Sequence, residues 1–389
     1  MSGPLRVATL ITRLEGGAGV LALRGLLALD REEFQPVLIT GSVSGSGDLL
    51  LDQASRAPGV EVIMEPALRS PISPRYDVSA LRSLSDLLRR RTFDVVHTHT
   101  AKAGTLGRIA ARRAGVPRVV HTYHGFPFHE FQSRLRRASY IAVERQLGRI
   151  TDVALCVGTG VAVEAIRRGL VPPERIRTIG VAVPDGPPLA LGARDRARRA
   201  LGVPPQATVV GAVGRLTYQK APEDFLTAMH ELGRLRGHGT LGRPDVVGVW
   251  VGGGELAERV GRRTRSISGP RVVLAGERSD IPEILPAFDV FVLPSRYEGL
   301  PTAVVEAMVC GIPVVATAVN AVGDVVVPGE TGLLVPPHRP DLLAAAVNYL
   351  LNSPDAATRM ATNARERLGT RFDVRTLREV LVAAYTGHG

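Results

Sequence analysis

Short apolar runs alternate with amphipathic stretches along almost the whole of this 389-residue chain. The runs predicted as strands cover residues 6–12, 36–40, 60–64, 95–98, 118–122 and 153–157, then a second set at 209–213, 246–251, 272–275, 290–294 and 313–316. Most are continuous runs of Val, Ile and Leu rather than an alternation with polar residues. A strand that is apolar on both faces is one covered on both faces, as in a parallel sheet with helices above and below. Strand and helix in alternation build right-handed βαβ units and doubly wound α/β sheets.

The two sets are separated by Pro184-Asp-Gly-Pro-Pro188, a turn-rich stretch, and by a short polar helix expected over 194–201. The chain is too long for one ordinary core. We therefore expect a Rossmann-like first domain over 1–185, a linker over 186–206 and a second Rossmann-like domain over 207–371. A helix over 372–385, within a C-terminal segment 372–389, is free to pack back on the first domain. Two open α/β domains joined by one linker would leave a cleft at the carboxyl ends of their strands, where such sheets bind ligands.

Charge narrows the partners. The formal net charge of +11 favours anions, whether nucleotide phosphates, an acidic membrane surface or nucleic acid. Aromatic residues make up only 4%, which speaks against stacking platforms for single strands, and no nucleic-acid partner is expected. Cys156 and Cys310 lie far apart in apolar runs and form neither a disulfide framework nor a metal site. The amino terminus passes straight into an apolar strand, and no uninterrupted apolar run reaches about 18 residues. The expected location is the cytoplasm, with contact at the inner membrane face left open.

Lys102 and Lys220 are the only lysines among 48 Lys and Arg residues. A lysine is a compact point charge and an arginine a planar fork, so a lone lysine marks a position where the two do not interchange. Lys102 stands in His97-Thr-His99-Thr-Ala-Lys102, and Lys220 in Gly214-Arg215-Leu-Thr-Tyr-Gln-Lys220. Further on, strand 290–294 feeds Ser295-Arg-Tyr-Glu298-Gly299-Leu300-Pro-Thr302 and an apolar helix carrying Glu306. A helix start offers unpaired N–H groups and a positive dipole end, a seat for a diphosphate. Two carboxylates there can accept sugar or ribose hydroxyls.

The Glu-x7-Glu spacing of Glu298 and Glu306 within Leu-Pro-Ser-Arg-Tyr-Glu-Gly-Leu-Pro-Thr resembles the retaining glycosyltransferases of family 4. Gly214-Arg215-Leu-x-x-Gln-Lys220 is similar to that family's phosphate-binding segment. His97-x-His99 with Lys102, and His124-Gly125, match its first-domain motifs. The resemblance covers nearly the whole chain with the motifs in order. It implies the GT-B fold, two Rossmann-like domains facing each other across a cleft, and transfer of a sugar from a nucleotide donor, most simply a UDP-sugar, with retention at the anomeric carbon.

The resemblance also implies site roles. Arg215 and Lys220 would neutralise the leaving diphosphate, Glu298 would contact the donor sugar, Glu306 would bind ribose, and the N–H groups of Gly299 and Leu300 would help hold the donor. His124 would approach the donor sugar from the first domain, and residues 276–281, with Arg278 and Ile281, would flank the base. Gly16 and Gly17, after the first strand, allow close approach of phosphate or acceptor. His97, His99, Lys102 and Phe126 are assigned to the acceptor side, where His97, His99 and Lys102 either touch ligand or order the wall of the site. No Asp-x-Asp occurs, so neither a metal nor any other cofactor is expected. Retention would then follow a front-face displacement.

The expected acceptor is a small molecule or a lipid-linked hydroxyl compound of surface-glycan or specialised-metabolite (antibiotic) assembly. Phe126-Pro-Phe-His-Glu-Phe131 beside Arg134-Leu-Arg-Arg137 reads either as a patch leaning on an anionic leaflet or as an ordinary helix with solvated arginines. Two rival functions remain at this level: a non-hydrolysing sugar-nucleotide epimerase of the same two-domain shape, and a catalytically silent nucleotide-sugar-binding protein.

Overall fold

The computed structural model describes residues 3–42, 46–70, 72–128, 132–180, 191–237, 245–369 and 372–387. It comprises two units, Met1–Ala182 with Phe372–Gly389, and Val183–Arg371. The turn at 184–188 lies outside the described residues.

In the first unit, strands β1 (Leu5–Ile11), β2 (Phe34–Thr40), β3 (Glu61–Met64), β4 (Val95–His99), β5 (Arg118–Tyr123), β6 (Val153–Cys156) and β7 (Ile176–Thr178) form one parallel sheet, ordered β3-β2-β1-β4-β5-β6-β7. The second unit holds β8 (Thr208–Val213), β9 (Val246–Val251), β10 (Arg271–Leu274), β11 (Val290–Leu293), β12 (Val314–Thr317) and β13 (Leu333–Val335), ordered β10-β9-β8-β11-β12-β13. Each sheet is doubly wound and reverses its strand order at one switch point, between β1 and β4 and between β8 and β11. The unbroken apolar runs explain the central strands, since β4 and β11 are buried at every position. The edge strands β7 and β13 are absent from the sequence reading, because each is only 3 residues long and partly exposed.

Three aspartates set strand starts. Asp94, Asp152 and Asp289 stand immediately before β4, β6 and β11. Each carboxylate accepts an N–H from the neighbouring strand, from Arg6 at 2.8 Å, Val119 at 2.7 Å and Val209 at 2.7 Å. These charge-assisted bonds pin the registers Val7↔Val95, Val120↔Val153 and Val210↔Val290.

Asp289 also overturns the linker expected over 186–206. Helix Ala193–Ala200 packs on Ile281–Ala287 of the second unit. Its buried Arg198 donates to Asp289 at 2.9 Å, and Arg194 reaches the same carboxylate. The segment reads as a solvated polar helix because its inward face uses a paired cation instead of a large apolar side chain.

The C-terminal helix, Val374–Thr386, belongs to the first unit. Asp373 caps it by accepting the Thr376 N–H at 2.7 Å. Leu377, Leu381, Ala384 and Tyr385 repeat at helical spacing and are buried against the first unit, beside helix Gly16–Ala28. No helix of the described residues is long and apolar enough to cross a membrane.

Candidate functional site

The loops at the switch point of the second sheet are tied to one another by backbone. The Trp250 indole donates to the carbonyl of Gly214 at 2.8 Å, the Leu216 N–H to Gly253 at 2.6 Å and the Gly252 N–H to Gly276 at 2.7 Å. Gly252 has φ 134°, and a Cβ there would stand 2.2 Å from the Gly214 carbonyl oxygen. This glycine is required by the close approach of its segment to the one that carries Arg215 and Lys220.

The loop after β8 then meets the loop after β11. Lys220 Nζ lies 2.5 Å from Glu298 Oε1, and the Ser295 hydroxyl donates to the same oxygen at 2.5 Å. Gln219 Nε2 donates to the Tyr297 carbonyl at 3.0 Å and reaches Glu298 Oε2 at 3.4 Å. The Glu298 N–H donates to Asn320 Oδ1 at 3.2 Å. Glu298 is buried, and its carboxylate is held from three sides. The sequence reading assigned Lys220 to phosphate and Glu298 to sugar hydroxyls separately, whereas the structure brings them together as an ion pair. It also adds Ser295 and Asn320, which that reading missed. Ser295 was legible in the same motif. Asn320 comes from beyond β12, with φ 40°, and only the fold delivers it.

Arg215 stands exposed on this loop and forms no ion pair with a described residue. Its charge lies near Tyr297, whose hydroxyl is pushed up by burial and drawn back by Arg215. Ala221, fully buried, turns the chain from Lys220 into helix Pro222–Arg236 at φ 50°, a left-handed conformation that glycine adopts more easily. Leu300 is buried and Gly299 half-buried ahead of helix Thr302–Val309. That helix carries no side-chain cap and no acidic residue in its first turn. Glu306 is half-buried on it, and burial, with the Glu306 charge second, pushes the Cys310 thiol up to about 11. Arg278 is engaged with Asp280 by two bonds of 2.9 and 2.6 Å, immediately before Ile281.

At the switch point of the first sheet, exposed Gly16 (φ 59°) and Gly17 open helix Gly16–Ala28. Thr12 accepts the Ala103 N–H at 3.0 Å and shares a hydrogen bond with Thr100 at 3.0 Å, which stitches the loop after β1 to that after β4. Beside them lies a histidine cluster. His99 Nδ1 and His124 Nε2 are 2.9 Å apart. The His97 ring lies against His99, tilted by 38° with ring centroids 4.2 Å apart. His97 is buried, bonding Tyr385 through Nδ1 and Thr122 through Nε2, each at 2.7 Å. Burial holds His97 down to about 3 and His124 to about 4, and both rings are neutral at pH 7.

Three acceptor-side residues find partners within the first unit. His97 has both nitrogens engaged inside the unit, the arrangement of a residue that orders the wall of the site. Lys102 lies 2.7 Å from Asp77, which clamps helix Pro74–Arg91 to helix Ala101–Ala114. Phe126 stacks on buried Phe128 at 4.8 Å and meets Tyr123 at 5.3 Å, so these rings form a packed cluster in place of an exposed patch. Residues 129–131 of that patch lie outside the described residues. The helix that follows, Arg134–Arg149, buries Ile141, Glu144 and Leu147 and exposes Leu135 and Val143 among arginines.

Comparison with known proteins places both units. The family model for glycosyl transferases group 1 matches residues 193–367, and that for glycosyltransferase family 4 matches residues 15–185. The chain is 33% identical over 367 residues to the UDP-Gal:alpha-D-GlcNAc-diphosphoundecaprenol alpha-1,3-galactosyltransferase of Escherichia coli, covering 93% of this chain and 91% of that one. It is 30% identical over 312 residues to the alpha-maltose-1-phosphate synthase of Mycolicibacterium smegmatis, covering 75% and 78%. Among solved structures, Anabaena HepE in complex with UDP and glucose superposes with a TM-score of 0.80 at 21% identity, over 98% of this chain and all (100%) of that one. That likeness is one of fold.

Proposed function

The chain belongs to glycosyltransferase family 4, and we propose that it transfers a sugar from a UDP-linked donor to a hydroxyl of its acceptor, with retention and without a metal. The observation that carries this reading is the constellation at the second switch point. There Lys220, Glu298, Gln219 and Ser295 are locked together with exposed Arg215 beside them.

An ammonium has three donors, and one is used on Glu298. Lys220 can keep that bond while donating to a phosphate oxygen. Arg215 adds a planar fork to the same diphosphate, and the N–H groups of Gly299 and Leu300, ahead of helix Thr302–Val309, add donors. Together they stabilise the negative charge that develops as the bond from the anomeric carbon to the phosphate oxygen breaks. The acceptor oxygen bonds to the anomeric carbon from the same face, and its proton passes to the departing phosphate oxygen. Glu298, oriented by Ser295 and Asn320, accepts from the donor sugar's hydroxyls, and Glu306 accepts from ribose. His124 contacts the donor sugar, and the backbone at 276–281 reads the base.

For the acceptor we take a lipid-diphosphate-linked sugar. The support is the relative whose substrate is of that kind and the exposed Leu135 and Val143 among the arginines of helix Arg134–Arg149. Such a face suits an anionic leaflet.

Calorimetric titration with UDP, GDP and ADP, with no metal added, tests the donor side. UDP should bind selectively, and Lys220→Ala should lose about 2 kcal/mol of that binding. A folded protein that binds none of the three refutes the reading. Product analysis should then show the retained anomer on a lipid-linked acceptor. Donor converted to an isomer without any acceptor would instead select the epimerase.

A further inference from the structure

We infer that His99 is a positioning residue for the transfer step, which holds His124 in the Nε2–H tautomer so that His124 presents an unprotonated Nδ1 to a substrate hydroxyl. This rests on the reading that His124 meets the donor sugar. His99 Nδ1 and His124 Nε2 lie 2.9 Å apart, with ring centroids 5.2 Å apart. Two neutral imidazoles carry two ring protons, and only one of them fits in the contact between them. If it sits on His99, both rings carry their proton on Nδ1, and His124 presents a donor. If it sits on His124, both rings carry their proton on Nε2, and His124 presents an acceptor.

A free neutral histidine favours the Nε2–H form, so the second arrangement satisfies the intrinsic preference of both rings at once. Burial keeps both neutral, with His124 lowered to about 4 and His99 lowered well below its ordinary value. The contact cannot relax by turning the His99 ring. His99 is buried, and the tilted His97 ring packs against it while Tyr385 and Thr122 hold the two nitrogens of His97. The C-terminal helix therefore braces the pair through Tyr385, and the partner's hydrogen bond decides which nitrogen of His124 faces chemistry.

The tautomer is read directly. Long-range proton–nitrogen spectra of protein labelled with ¹⁵N-histidine, assigned with His99→Leu and His124→Leu, should show Nε2 protonated and Nδ1 bare on His124. A proton on His124 Nδ1 in the unmodified protein overturns the inference, whether or not any variant folds. His99→Leu should lower kcat by about 10- to 100-fold with the donor KM within about twofold, as for loss of a group that orients a reacting one. His99→Asn, whose Oδ1 takes the place of Nδ1, should restore most of kcat. Equal kcat in the Leu and Asn variants overturns the positioning role. Unchanged kcat in His124→Leu would instead remove the underlying role of His124, while the tautomer spectrum would stand.

Discussion

The pairing of Lys220 with Glu298 sets a measurable coupling. The two charges lie 2.5 Å apart, with 19% and 4% of their side chains exposed. At an effective dielectric of about 20, the gross attraction at such range is on the order of 7 kcal/mol. Desolvation of the ammonium and the carboxylate removes much of it. Lys220→Met leaves a buried carboxylate with only Ser295 and Gln219, and should cost about 3 kcal/mol. Glu298→Gln leaves the ammonium facing a neutral amide and should cost about 2 kcal/mol. The double variant should cost about 3 kcal/mol, which gives a coupling of about 2 kcal/mol, within the range for contacting residues of one network.

The protein supplies its own probe. Trp250 is the only tryptophan, buried in the second unit and bonded to Gly214 at the root of the Lys220 loop. Urea unfolding followed by its fluorescence reports that unit, which matters because a chain of two units need not unfold in one step. A coupling below about 0.5 kcal/mol would refute the idea that this ion pair organises the site.

Two further outcomes are expected. Gly252→Ala places a Cβ 2.2 Å from the Gly214 carbonyl oxygen at φ 134°, so it should cost about 3 kcal/mol by the Trp250 transition and weaken UDP binding. A shift under about 1 kcal/mol would mean that the segments separate freely. Among the described residues, the buried histidines His97, His99 and His121 and half-buried His124 all lie in the first unit. Their folded values are depressed, about 3 for His97 and about 4 for His124 against 6.5 unfolded. The unfolded chain therefore binds more protons between these values, and stability falls as pH drops below about 6.5. At pH 5 the loss is about 2 kcal/mol for each ring. Amide exchange of β1 and β4 should accelerate there while the Trp250 transition shifts less, and equal shifts in both units would count against it.

The strands at the centre of each sheet were legible because a run such as Val-Val-Gly-Ala-Val is apolar on both faces, and only a doubly covered parallel sheet accepts that. The edges β7 and β13 were not, because one exposed side removes the demand for unbroken apolarity. The loop motifs were legible as residue types at fixed offsets. Their mutual arrangement was not, since Lys220 and Glu298 are 78 positions apart and Asn320 joins them from a third loop. The linker failed for a related reason, because Arg198 looks solvated until Asp289 arrives from 91 positions away.

The sequence alone therefore determined the class of fold, the paired sheets and the short list of polar residues at strand ends, because hydrophobic periodicity and loop chemistry are local properties of the chain. The tertiary structure alone decided which of those residues meet. It joined the expected phosphate lysine and sugar carboxylate in one ion pair, made His97 a brace and Lys102 a clamp, and set His99 against His124. Burial and hydrogen-bond partners arise only when the switch-point loops converge, and no local pattern encodes the distance between them.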